Sequence, residues 1–141
     1  MNISVTHKVF VGAAMLLATL LVACEGGVDE AASGTVVAKV EESSLGPGAT
    51  AHAVLDLSPG KYVLICNISG HYKQGMYAAL QVTDGARGAG ANVEIGEWFV
   101  KPSVASVAPG SITLEVTNKG KSSHNLVVIR TDRAPEALVV K

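Results

Sequence analysis

LSPGKYVLICNISGHYKQGMYAALQVT, residues Leu57–Thr83, holds the chemistry of this chain and decides its architecture. An apolar run from Tyr62 to Ile65 reads as a strand that delivers Cys66, and a second run, Tyr77 to Thr83, leads away. Between them the spacing is Cys-x4-His-x4-Met, with His71 and Met76. This is the pattern of a metal loop held between two strands. Thiolate, imidazole and thioether are soft or borderline ligands. Joined by a second imidazole they suit copper, with the methionine sulfur as a long, weak axial ligand.

Outward from this loop the chain reads as β. On the N-terminal side, Ser58-Pro59-Gly60 is a turn, and the run before it alternates, with Ala51, Ala53, Leu55 and Leu57 on one face and His52, Val54 and Asp56 on the other. His52 therefore belongs on a polar face, exposed and without a metal role. A Gly46-Pro47-Gly48 turn separates this strand from the β-branched run Thr35 to Val40. On the C-terminal side, Asp84 to Ala91 (DGARGAGA) breaks all pattern and reads as a linker. Strand signals resume at Val93 to Lys101, Ser103 to Val107 and Ile112 to Thr117, with Pro109-Gly110 as a further turn. A loop of Lys, Gly and Ser then leads to His124, which opens the run Leu126 to Arg130. About eight short strands with closely spaced turns and no helical periodicity predict an antiparallel all-β sandwich or barrel. Aromatics are sparse; Trp98 reads as a packing residue of the strand EIGEWFV, and Tyr72 and Tyr77 as packing beside the metal loop.

Residues 1–23 read as export machinery. Lys8 supplies the positive start, Val9 to Leu21 an apolar stretch short for a membrane span, and Leu21-Val22-Ala23-Cys24 resembles a bacterial lipobox, in which the cysteine is lipidated. An uncleaved membrane anchor is the plainer alternative. Both readings place the domain outside the cytoplasm and attached to a membrane. Residues 24–34 (Cys24, then EGGVDEAASG) read as a flexible tether, and 35–141 as one domain. Cys24 and Cys66 are the only cysteines. A disulfide between them is the simple expectation for an oxidising compartment, but a lipid on Cys24 leaves Cys66 as a free thiol, for which metal ligation is the natural use. The formal net charge is −1, and −2 without the segment containing Lys8, so nothing points to nucleic acid or to a polybasic membrane patch.

CNISGHYKQGM resembles the copper loop of the cupredoxins, its spacing being closest to the rusticyanin and sulfocyanin branch, and SSHNLVVI resembles the segment that carries the other histidine ligand. The resemblance spans about Thr35 to Lys141. It implies a Greek-key cupredoxin sandwich with one type 1 copper, Cys66, His71 and His124 as equatorial ligands, Met76 as the axial one, and Asn125 as the residue that hydrogen-bonds across to the cysteine loop.

The order of the segments departs from the family. There the first histidine precedes the Cys-His-Met loop, whereas His124 follows Met76 by 48 residues. Joining Lys141 to Gly26 would restore the usual order, so a circular permutant is expected, with 35–83 as the Cys/His/Met half, 84–91 as the new connection and 92–141 as the His half. Alternating strand directions put both ends of the connection at the end remote from copper, and eight residues span up to about 26 Å. Thr35 falls at that same end, which would leave the copper end facing away from the membrane. Closure within one chain makes a monomer; exchange of halves between chains would make a swapped dimer.

The implied function is one-electron transfer, with redox proteins docking weakly at the copper end. Outside the ligand set, no acid, base or nucleophile cluster indicates an enzyme. Copper delivery, storage or sensing would use much the same ligands, and a metal-free scaffold would use none of them.

Overall fold

The structure is a computed structural model and describes residues 26–141; Cys24 and the segment read as a signal peptide lie outside the described residues. Nine strands are found among these: β1 Thr35–Val40, β2 Thr50–Leu57, β3 Gly60–Ile65, β4 Tyr77–Val82, β5 Gly90–Gly96, β6 Phe99–Pro102, β7 Ser106–Val107, β8 Gly110–Asn118 and β9 Leu126–Arg130. They form two sheets, one of five strands in the order β1-β9-β3-β4-β7 and one of four in the order β2-β8-β5-β6. Pairing is antiparallel except for β4 with β7 and β5 with β8. This is the all-β sandwich that the sequence predicts, consistent with the cupredoxin type.

The two sheets bury a core between them that includes Leu55, Leu57, Leu64, Leu80, Val93, Ile95, Ile112, Leu114, Val116 and Leu126. In β2 the alternation works as read: Leu55 and Leu57 are buried while His52, Val54 and Asp56 face solvent. In β3 and β9 it disappears, because Tyr62 through Ile65 and Leu126 through Ile129 are buried on both faces. Val63, Ile65, Val127 and Ile129 point away from the main core into a second cluster with Val28, Tyr72 and Leu138. Strands covered on both sides lose the apolar/polar alternation for this reason.

The covering layer corrects the expected tether. Residues 26–34 are docked: α1, Glu30–Ser33, is capped by the Asp29 side chain accepting from the Ala32 N–H at 3.1 Å, and Val28 is 1% exposed. Val28 forms an antiparallel bridge with Val140, and the two ends of the described chain meet there, the Gly26 N–H donating to the Lys141 carbonyl at 3.3 Å and the Lys141 N–H to that of Gly27 at 3.0 Å. Tyr72 ties this strap to the metal loop, its hydroxyl donating to the Pro135 carbonyl at 2.7 Å and accepting from the Leu138 N–H at 3.0 Å.

Three other expectations change. The run Val93 to Lys101 is a hairpin, β5 turning at Glu97-Trp98 into β6, because the Gly96 to Phe99 pairing closes a tight turn. Only Ser106–Val107 of the run Ser103 to Val107 pairs as a strand. The connection after β4 is shorter than read, since Gly90 already pairs with Thr113.

Candidate metal centre

β3 and β9 are antiparallel neighbours with Ile65 opposite Val127, so Cys66, one residue past β3, and His124, two residues before β9, emerge side by side at one end of the five-stranded sheet. The loop after Cys66 folds back on itself. His71 N–H donates to the Ile68 carbonyl at 3.0 Å, and a 3-10 turn, Tyr72–Gln74, ends at Gly75, whose φ of +111° suits glycine. Cys66 N–H then meets the Met76 carbonyl at 3.1 Å, closing the loop at its base.

Three donor atoms converge. Cys66 Sγ lies 3.5 Å from His71 Nδ1 and 3.9 Å from His124 Nδ1, and the two nitrogens are 3.2 Å apart. The circle through these atoms has a radius of about 2.1 Å, in the range of protein thiolate and imidazole bonds to a first-row metal such as zinc. Among the described residues, these three form the group of Cys, His and acidic side chains able to hold an ion. A trigonal His2Cys set is the arrangement that suits copper rather than the closed tetrahedral set typical of structural zinc. Met76 is fully buried in the same cluster as Cys66, and its N–H donates to the His71 carbonyl at 3.3 Å.

The electrostatics fit a metal-binding thiol that is sheltered from solvent. Burial pushes the Cys66 thiol up, against the opposing effect of N–H bonds to its sulfur from Ile68 and Asn125, the latter at 3.5 Å. Burial and the neighbouring His124 push His71 down, which keeps its ring neutral and able to ligate. Asn125 also accepts from the Asn67 N–H at 2.7 Å through Oδ1, so it joins the His124 segment to the cysteine loop at two points. His52 stands apart on the exposed face of β2, its Nε2 3.1 Å from Glu115 Oε2.

Sequence reasoning missed the part that several residues play around the site. Glu97, in the β5–β6 turn, places Oε1 2.9 Å from His124 Nε2 and accepts the backbone N–H groups of Lys121 and Ser122, which hold its carboxyl down at about 2. Trp98, expected to pack within a strand, is 41% exposed at the turn, its ring edge-on to His71 with centroids 5.0 Å apart. Asn118, fully buried, donates to the Leu45 and Ser122 carbonyls, and Leu45 in turn accepts from the His124 N–H at 3.2 Å. The only available signal for Glu97 was an acid beside a glycine, three residues after Glu94, in an otherwise apolar strand pattern. Asn67 and the strap give a further correction: its amide donates to the Val28 carbonyl and Glu30 Oε1 and accepts from the Val28 N–H at 2.6 Å, while Gly70 N–H donates to the Gly26 carbonyl. The chain preceding Thr35 thus returns from the remote end to the metal loop, and the expected departure of the tether from the far end does not hold.

No curated protein and no solved structure is detectably similar to this chain. Residues 19–88, the stretch that carries Cys66, His71 and Met76, match the model of the sulfocyanin (SoxE) domain, a cupredoxin-like blue copper domain that transfers electrons and is not an enzyme.

Proposed function

We propose that this chain is an exported, membrane-anchored electron carrier that holds one copper ion through Cys66, His71 and His124, with Met76 as axial ligand, in a circularly permuted cupredoxin sandwich. The observation that carries the reading is the triangle of one sulfur and two Nδ1 atoms, 3.2 to 3.9 Å on a side, at the end of a rigid sheet. When bound, copper supplies one-electron exchange between Cu(I) and Cu(II) in a ligand geometry acceptable to both. The residues keep that geometry fixed. Cys66 and His124 are anchored on paired strands, Asn125 bonds both segments together, and the thiol sulfur takes two N–H bonds that favour its ionised form. The exposed Trp98, beside half-buried His71, offers redox partners a small apolar contact from which they can leave quickly.

Permutation is supported by the meeting of Gly26 with Lys141 and by strand order. Joining those ends would let the chain run from β5 through β9 into β1 and end at the Cys66 loop and β4, the order usual in the family. The lipid on Cys24 and the extracytoplasmic location are proposed from the lipobox-like Leu21-Val22-Ala23-Cys24.

The test is Cu(II) titration of the metal-free protein, followed by visible absorption, voltammetry and light scattering on one sample. An intense thiolate-to-copper band and reversible one-electron response at one copper per monomer is the expected result. The band in dimers only would mean that the halves are exchanged between chains. A folded protein with free Cys66 and no such band would overturn electron transfer and leave copper delivery as the use of these ligands. Mass spectrometry of the membrane fraction, against Cys24→Ala, checks the lipid.

A further inference from the structure

His124 is fully buried, and its two ring nitrogens face different partners. Nδ1 belongs to the donor triangle, and Nε2 lies 2.9 Å from Glu97 Oε1. The carboxylate is itself held in place. It accepts from Ser122 N–H at 2.9 Å and from Lys121 N–H at 3.0 Å, and a Cβ at Gly120 would fall 2.5 Å from its Oε2, so glycine there leaves it room. Among the described residues, the other imidazole has no such carboxylate hydrogen bond: the His71 ring lies against those of His124 and Trp98.

We propose that Glu97 is the positioning residue of the metal centre, holding the His124 proton on Nε2 so that the Nδ1 lone pair is aimed at the metal and strengthened as a donor. The inference rests on the copper reading above. An imidazole with a proton on Nε2 has one donor orientation left for Nδ1, and a carboxylate partner fixes both tautomer and ring plane while raising ligand basicity. A stronger nitrogen donor favours Cu(II) over Cu(I), so the carboxylate lowers the reduction potential. The same turn presents Trp98 to His71, so one hairpin addresses both imidazoles.

The first measurement needs neither copper nor a variant: nitrogen-15 NMR of the His124 ring in the metal-free protein. A ring protonated on Nε2 is expected; a ring carrying its single proton on Nδ1 would overturn the proposal. The second uses Glu97→Gln, which preserves the shape and an acceptor oxygen but removes the charge. Its Cu(II) affinity is expected to fall 10- to 100-fold, and each tenfold loss of Cu(II) over Cu(I) affinity reads as a rise of about 59 mV in potential. A folded variant with unchanged affinity and potential would mean that Glu97 only caps residues 120–122. Glu97→Ala, in the metal-free protein, is expected to mix the His124 tautomers, and an unmixed Nε2–H ring would overturn the role. If the natural protein gave no thiolate-to-copper band, the copper reading would fall, while the tautomer in these metal-free samples would still decide whether Glu97 positions His124.

Discussion

The two sheets of this sandwich are built differently. The four-stranded sheet buries one face and leaves the other, with His52, Val54 and Asp56, in water. In the five-stranded sheet the inner strands β3 and β9 are buried on both, against the main core and against a strap made of residues from the two ends of the described chain. Cys66 and His124 leave from these doubly covered strands. A site that must keep one geometry in two oxidation states benefits from strands that cannot flex toward solvent, and the strap supplies the second contact surface.

The largest expected effect tests this contrast directly. Ile65→Ala or Ile129→Ala, each fully buried on the strap side, is expected to cost about 2–5 kcal/mol in denaturant unfolding of the metal-free protein. Val54→Ala, on the open face and 72% exposed, is expected to change stability by less than about 0.5 kcal/mol. Equal costs at the two positions would mean that the outer layer contributes nothing, and the comparison would fail.

The contrast also explains what could be read from the sequence. Alternation made β2 legible, and the run ending at Cys66 with its Cys-x4-His-x4-Met spacing made the loop legible, because both signals are local. The strap was read as a tether because EGGVDEAASG is small, polar and acidic; its docking depends on one apolar residue, Val28, and on partners such as Val140 at the far end of the chain. The unbroken apolar runs in β3 and β9 were read only as strands; their burial on both faces shows once the strap is in place. Glu97 and Trp98 were hidden for a related reason. EIGEWFV has the look of one continuous strand, and only the antiparallel pairing of Gly96 with Phe99 turns those two side chains toward the histidines.

Smaller changes sharpen the role of the strap. Tyr72→Phe removes the hydroxyl that serves both the Pro135 carbonyl and the Leu138 N–H, and is expected to cost about 1–3 kcal/mol. Asn67→Ala removes the amide that holds both backbone groups of Val28 and Glu30, with an expected cost of about 1–2 kcal/mol. In the Asn67 variant, hydrogen exchange at residues 26–30 should accelerate while β2 and β8 keep their protection. Acceleration spread evenly over both sheets would show that the strap is not a separate layer.

The smallest effect is a pH dependence confined to the strap. Burial by itself raises the Glu30 carboxyl, but hydrogen bonds from Lys39 and Asn67 and the charges of Lys39 and Lys141 outweigh it, and the group ends below its ordinary 4.5. The Lys39 ammonium lies 2.6 Å from Glu30 Oε2. Because the folded value is the lower one, the unfolded or undocked chain binds the proton more readily. The stabilisation is therefore complete above pH 4.5 and is lost as pH falls through the folded value. Hydrogen exchange of the Val28 amide, corrected for intrinsic rates, should accelerate as pH falls below 4.5 through the lowered folded value, and Glu30→Gln should remove that response while leaving the exchange of β8 as it was. A pH response of equal size in β8 would assign the effect to global unfolding, and the strap and the sheet beneath it would then form one cooperative unit.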